Sequence, residues 1–204
     1  MEDDELLRRW AGGDRDAGND LVRRHFSAMY RFFQRRTPPA EAEDLTQRTF
    51  EVVLHKQVTW QERGSFRSYL FGIARNQLLM HLRKEGRKAG REVAVEGTHP
   101  GPTFSPSGQV AAKQEQKVLL RAMRTLPIDL QIALELFYWE GLSNAEVAEV
   151  LDVRPTTITT RLWRARDLIR DALAHMDVAD SVAESTVVDL DKWARSLRDL
   201  VDER

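Results

Sequence analysis

The chain has 204 residues, enough for one ordinary domain or two small ones, and its 31 Lys+Arg against 32 Asp+Glu give a formal charge of −1. That balance excludes a uniformly basic nucleic-acid binder, though not one whose charge is segregated, and the absence of cysteine excludes disulfides, thiolate zinc sites and thiol catalysis. Hydrophobic residues make up 42 %, enough for cores, yet no apolar run approaches the roughly 20 residues that span a bilayer, and the acidic start Met1-Glu2-Asp3-Asp4-Glu5 is unlike a secretory signal. A soluble cytoplasmic protein without membrane insertion is expected.

The predicted elements are nearly all helical. After a turn at Gly12-Gly13-Asp14, Val22, Phe26, Met29, Tyr30 and Phe33 recur at three- and four-residue spacings, one face of an amphipathic helix that Pro38-Pro39 ends. Ala42, Leu45, Thr49, Phe50 and Val53 mark a second helix, and Asp44, Gln47, Arg48 and Glu51 form a polar stripe on it. Residues 57–65 read as a loop, followed by a long helix over 66–85 with Phe66, Leu70, Ile73 and Ala74 inward. Of Tyr69 and Phe71, at least one is expected to be exposed or partly exposed.

From 86 to 108 the sequence holds five glycines and three prolines and keeps no periodic apolar face. Such a segment cannot bury enough surface to offset its ordering entropy, so a flexible linker is expected over 89–110. Helical periodicity resumes and runs to about 176. The expected fold is all-α: a helical bundle over 1–88, the linker over 89–110, a second helical domain over 111–176, and a C-terminal extension over 177–204. In that extension Leu190, Trp193, Ala194, Leu197, Leu200 and Val201 predict an amphipathic helix, expected to fold back on one of the two domains or to pair with a second copy.

Charge follows the same division. Residues 63–91 carry eight Lys/Arg and one acid, and residues 154–170 carry five Arg and one acid, whereas the N-terminal part is acidic. Two basic segments in two domains suit a protein that touches a polyanion at two places.

The most specific local signal is in 143–173. Ser143-Asn144-Ala145-Glu146 is a capping box. A short helix follows, then the turn Asp152-Val153-Arg154, then Pro155 in the first turn of a second helix with Ile158, Leu162, Ala165, Ile169 and Leu173 inward. This is a helix-turn-helix pattern. Arg154 and the outward Thr156, Thr157, Thr159, Thr160, Arg161 and Arg164 carry hydroxyls and guanidinium groups that suit base edges and phosphates. In the first domain Trp60, Arg63, Arg67, Tyr69, Arg75, Asn76, Arg83 and Lys84 interleave rings with cations. That combination suits single-stranded nucleic acid, where rings stack on unpaired bases and cations follow the backbone. No His-Glu-x-x-His pair, phosphate-binding glycine loop or Gly-x-Ser-x-Gly elbow is present; no enzyme activity, catalytic residue, metal or cofactor is expected.

Together these strings resemble the bacterial extracytoplasmic-function RNA polymerase sigma factors over about residues 4–176. Glu43-Asp44-Leu45-Thr46-Gln47-Arg48-Thr49-Phe50 resembles the family's polymerase-clamp-binding helix, and Phe66-Arg67-Ser68-Tyr69-Leu70-Phe71-Gly72-Ile73-Ala74-Arg75-Asn76 its downstream-box helix. Leu126-Pro127, Glu140-Gly141-Leu142-Ser143, Glu146-Val147-Ala148 and Arg161-Leu162-Trp163-Arg164-Ala165-Arg166 resemble its upstream-box reader. The resemblance implies a sigma region 2 bundle and a sigma region 4 helix-turn-helix. It implies core-polymerase contacts at Asp44, Leu45, Gln47, Arg48 and Glu51, bases captured at 57–67 and Asn76, and promotion of transcription initiation for a stress- or signal-responsive set of genes. Implied partners are core RNA polymerase, promoter DNA both duplex and melted, and an anti-sigma factor or other regulator. The alternative is a stand-alone helix-turn-helix regulator that binds promoter DNA without polymerase. Two departures stand out: Met80 where the family usually has Asp, and Thr156-Thr157-Ile158-Thr159-Thr160-Arg161 where it usually has Gly-Thr-Val-Lys-Ser-Arg.

Overall fold

The computed structural model describes residues 2–56, 64–88, 119 and 121–176. Trp60, Arg63, the linker over 89–110, residues 111–118 and the extension over 177–204 lie outside the described residues. The chain divides into two compact units, Met1–Glu92 and Val93–Arg204. Every regular element among the described residues is helical.

The first unit has four helices: α1 (Asp3–Ala11), α2 (Arg15–Gln34), α3 (Pro39–Lys56) and α4 (Phe66–Lys88). In α1, Asp3, Asp4 and Glu5 sit in the first turn and Arg8 and Arg9 in the last, both favourable to the helix dipole, and Leu6, Leu7 and Trp10 are buried. After the turn, Asp14 caps α2 by accepting from the backbone N–H groups of Asp16 (3.0 Å) and Ala17 (3.2 Å). Arg9 also donates to it at 2.6 Å. The Ala17 N–H and the Arg9 guanidinium hold the Asp14 carboxyl below its ordinary pKa.

α2 packs against α1 on one side and α3 on the other, and α3 packs on α4. The α2 core stripe is turned from the expected one. Leu21, His25, Ala28, Met29, Phe32 and Phe33 are buried, while Phe26 is 39 % exposed and Val22 and Tyr30 are half-buried. Both sets obey the helical period; the buried one includes Phe32, whose ring meets the Phe71 ring of α4 edge-on at 5.7 Å. α3 follows its pattern, with Ala42, Leu45, Phe50 and Val53 buried. Thr46 and Thr49 are also fully buried, each donating its hydroxyl to the carbonyl four residues back, Ala42 O at 2.7 Å and Leu45 O at 2.8 Å. Phe66, Leu70, Ile73 and Ala74 are inward on α4 as expected, joined by Phe71, and Tyr69 is half-buried. Phe32, Phe33, Phe66 and Phe71 are fully buried, each worth roughly 1.5–3 kcal/mol of transfer free energy.

The second unit contains a helical segment at 121–124, α5 (Ile128–Leu134) running into the π-helical turn Glu135–Trp139, α6 (Asn144–Leu151) and α7 (Pro155–Ala174). Gly141 ends the α5 stretch at φ +65, and the N–H of Leu142 reaches back six residues to Leu136 O at 2.9 Å. That left-handed stop is cheapest for glycine. α5 and α6 both pack on α7, whose Ile158, Leu162, Ala165, Ile169 and Leu173 are buried as the pattern predicts.

Candidate nucleic-acid and partner interfaces

The capping box at the start of α6 is complete. The Ser143 hydroxyl accepts from Glu146 N–H at 3.3 Å, and Glu146 accepts from the Ser143 backbone N–H at 2.8 Å. Asp152 closes α6 in the left-handed region at φ 53, a conformation that a short polar side chain tolerates. Pro155 then opens α7. These signals fix the angle at which α7 leaves the turn, so α7 presents one face to α5 and α6 and the other to solvent.

Arg154, Thr156, Thr159, Thr160 and Arg164 are exposed on that outer face, and Thr157 is half-buried. Arg161 departs from expectation: its side chain is 26 % exposed and its guanidinium lies 3.8 Å from the Asp129 carboxylate of α5. Arg166 is likewise engaged, donating to the Tyr138 hydroxyl at 2.9 Å and lying 5.5 Å over its ring, while Arg170 pairs with Asp167 at 2.7 Å. Of the five arginines in 154–170, Arg161, Arg166 and Arg170 have side-chain partners, whereas Arg154 and Arg164 show no side-chain hydrogen bond, ion pair or ring contact among the described residues. Sequence reasoning missed Trp163, which is 65 % exposed one turn after Thr159 and Thr160 and beside Arg164. The signal was available: between the inward Leu162 and Ala165, the helical period leaves position 163 outside.

On α4, helical geometry sorts the expected residues. Tyr69, Asn76 and Arg83 recur every seven residues and share one stripe, with Lys84 beside it. Asn76, Arg83 and Lys84 are exposed. Burial raises the pKa of the Tyr69 hydroxyl. Arg67 does not join this stripe. It lies nine residues before Asn76, about two and a half turns, and so projects from the opposite side, with its guanidinium 6.0 Å over the buried Phe71 ring. Arg75 is half-buried and about 100° round from Asn76. The start of α4 is tied to α1 and α2: His25 Nε2 lies 2.7 Å from an Asp3 carboxylate oxygen, and its ring meets the Phe66 ring edge-on at 5.4 Å. Burial lowers the His25 pKa, an effect that the Asp3 carboxylate opposes.

On α3, Asp44, Gln47, Arg48 and Glu51 are exposed along one side. Arg48 forks onto Asp44 with contacts of 2.9 and 3.1 Å; both side chains are about half exposed, so the pair adds at most ~0.5 kcal/mol. Leu45 corrects the expectation. At 2 % exposure it faces the core and supports this surface from beneath instead of meeting a partner. Two exposed apolar side chains extend the face, Leu54 at 49 % exposure, outside the sequence patterns, and Phe26 at 39 %, which the pattern placed inward and which is stacked between Tyr30 and Phe50 with both centroids at 6.4 Å. Glu41 joins α3 to α4 through His81 at 2.9 Å.

A helix-turn-helix in one unit and a bundle carrying an outward cationic stripe in the other define an all-helical DNA-binding protein of two units. Residues 21–88 match Sigma-70 region 2 and residues 116–169 match Sigma-70, region 4, together more than half of the chain. The chain belongs to the sigma-70 family, among the extracytoplasmic-function RNA polymerase sigma factors. It is 26 % identical over 181 residues to the ECF RNA polymerase sigma-E factor of Haemophilus influenzae, covering 85 % of this chain and 96 % of the relative. It is 25 % identical over 177 residues to the sigma-E factor of Escherichia coli K12, covering 83 % and 93 %. Its fold is similar to that of the sigma factor RpoE in complex with the anti-sigma factor NepR from Bartonella quintana (TM-score 0.59, 24 % identity, 77 % of this chain and 96 % of that one). It is similar also to CnrH in complex with the cytosolic domain of CnrY (TM-score 0.61, 23 % identity, 86 % and 99 %).

Proposed function

We propose that this sigma factor joins core RNA polymerase through the exposed side of α3 and reads promoter DNA with the outward faces of α4 and α7. A sigma factor supplies promoter recognition and duplex opening, and is a transcription initiation factor without an enzymatic step of its own. The observation that carries the assignment is the presence of both regions, each with an outward polar or cationic helix face. α7 lays hydroxyls, Arg164 and Trp163 toward duplex DNA at the upstream box, where the major groove admits a helix. α4 sets Asn76 and its cations against the downstream box. There the freed bases are captured at a cost of a few kcal/mol in unstacking, which a pocket that reads them offsets. Trp60 and Arg63 belong to this downstream set by resemblance. The protein works in the cytoplasm, and no described helix is long and apolar enough to cross a membrane. A protein partner of the anti-sigma kind controls it, by analogy with the similar sigma factor RpoE, which was solved in complex with the anti-sigma factor NepR. A stand-alone regulator would use α5 to α7 and leave the faces of α3 and α4 without a role.

The test is assembly. Asp44→Arg with Gln47→Ala alters only exposed side chains, so the helical circular dichroism should be unchanged while co-purification with core polymerase is lost. Recovery of the double variant with core at wild-type yield refutes the α3 assignment.

A further inference from the structure

The outward stripe of α4 holds one side chain of foreign chemistry. Met80 is 61 % exposed, and its neighbours on the stripe are the exposed Asn76 four residues before and Arg83, Lys84 and Arg87 after it. Glu85, the one acid of this helix, lies on another side and pairs with Lys88 at 2.7 Å. From Asn76 to Arg87 the stripe runs about 16 Å, the length of roughly five base steps. A scattered surface methionine needs no explanation. Here, however, a flexible, polarisable thioether stands in the middle of a face whose other members are an amide and three cations, about 6 Å along the axis from Asn76.

A nucleic-acid strand laid on this face meets cations at its phosphates, an amide at one base and an apolar tip next to it. Among the base edges, thymine alone offers an apolar group, its C5-methyl. We propose that Met80 packs on the C5-methyl of a thymine next to the base held at Asn76, and is thereby a specificity-determining residue for the downstream box. The assignment rests on α4 being the downstream-box helix, and the test separates the two.

Holoenzyme is reconstituted from core polymerase and the full chain, on a promoter taken from transcription starts mapped with it. Each thymine of the downstream box, on either strand, is replaced singly by deoxyuridine, which removes only the methyl. The wild-type protein should lose about three- to fivefold in open-complex formation at one thymine, the worth of one buried methyl. Met80→Ala should be weaker on the intact promoter by a similar factor and indifferent to that deoxyuridine, and Met80→Leu should restore both strength and sensitivity. Position 80 is exposed, so these variants fold, and circular dichroism verifies it. Wild-type indifference at every thymine, an unchanged deoxyuridine penalty in Met80→Ala, or a downstream box without thymine overturns the proposal. Asn76→Ala is the control. If it weakens opening while the methyl scan is flat, Met80 alone is misassigned; if it too leaves opening unchanged, the placement of α4 on the downstream box falls, and the Met80 contact with it.

Discussion

Arg161 and Arg164 stand three residues apart on α7 and look interchangeable in the sequence, yet the fold gives them different surroundings. Arg161 is 26 % exposed and faces Asp129, 15 % exposed, at 3.8 Å. At an effective dielectric near 20 the bare attraction is roughly 4 kcal/mol. The separation exceeds a hydrogen bond, and the desolvation of both groups offsets most of that figure. Arg161→Ala should therefore lower stability by about 1–2 kcal/mol, part of it lost packing of the side-chain stem. Arg164 is exposed. Its removal should leave stability within about 0.5 kcal/mol and cost about 1–3 kcal/mol in upstream-box binding, roughly 5- to 150-fold. Urea unfolding followed by circular dichroism measures the first quantity, and holoenzyme binding to a promoter duplex at fixed salt measures the second. Asp129→Asn should mimic the stability loss of Arg161→Ala without a comparable loss of binding. An unchanged urea midpoint for Arg161→Ala, together with a binding loss equal to that of Arg164→Ala, would refute this division.

Gly18 sits inside α2, where alanine ordinarily gains about 1 kcal/mol; a Cβ there would lie 2.4–2.6 Å from three indole atoms of Trp10, so Gly18→Ala should instead destabilise by roughly 1–3 kcal/mol. Adding Trp10→Leu should recover part of the loss, whereas a higher urea midpoint for the single variant would contradict the α1–α2 packing. Burial holds His25 below its ordinary pKa, with the Asp3 carboxylate opposing and the Arg67 and Arg24 charges adding to the decrease. The unfolded chain thus takes up that proton first, and stability should fall as pH drops below about 6.5. The drop in urea midpoint from pH 7 to 5.5 should be smaller in His25→Gln, and equal drops would show that His25 does not carry it.

The helix-turn-helix was legible in the sequence because each of its determinants is local. Ser143 and Glu146 cap each other across three residues, Pro155 starts α7 without needing a partner, and the inward stripe from Ile158 to Leu173 follows from the helical period alone. The inward faces of α3 and α4 were legible for the same reason, down to Phe66 and Val53. What tertiary structure decided is which of two equally periodic stripes finds a neighbour, and which charges are already engaged. On α2, position 26 obeys the same period as position 29, but Met29 meets packing helices while Phe26 stays at the rim. Leu45 was already inward by the helical period, and its burial removes it from the partner-contact set that the resemblance implied. Arg161 and Arg166 belong to a cationic run by composition, but Asp129 and Tyr138, some thirty positions earlier, draw them against α5 and its π-helical turn, leaving Arg164 and the exposed Trp163 on the outer face. A periodic pattern specifies a helix and its candidate faces; only the approach of a distant segment settles which face is buried and which cation is left to meet another molecule.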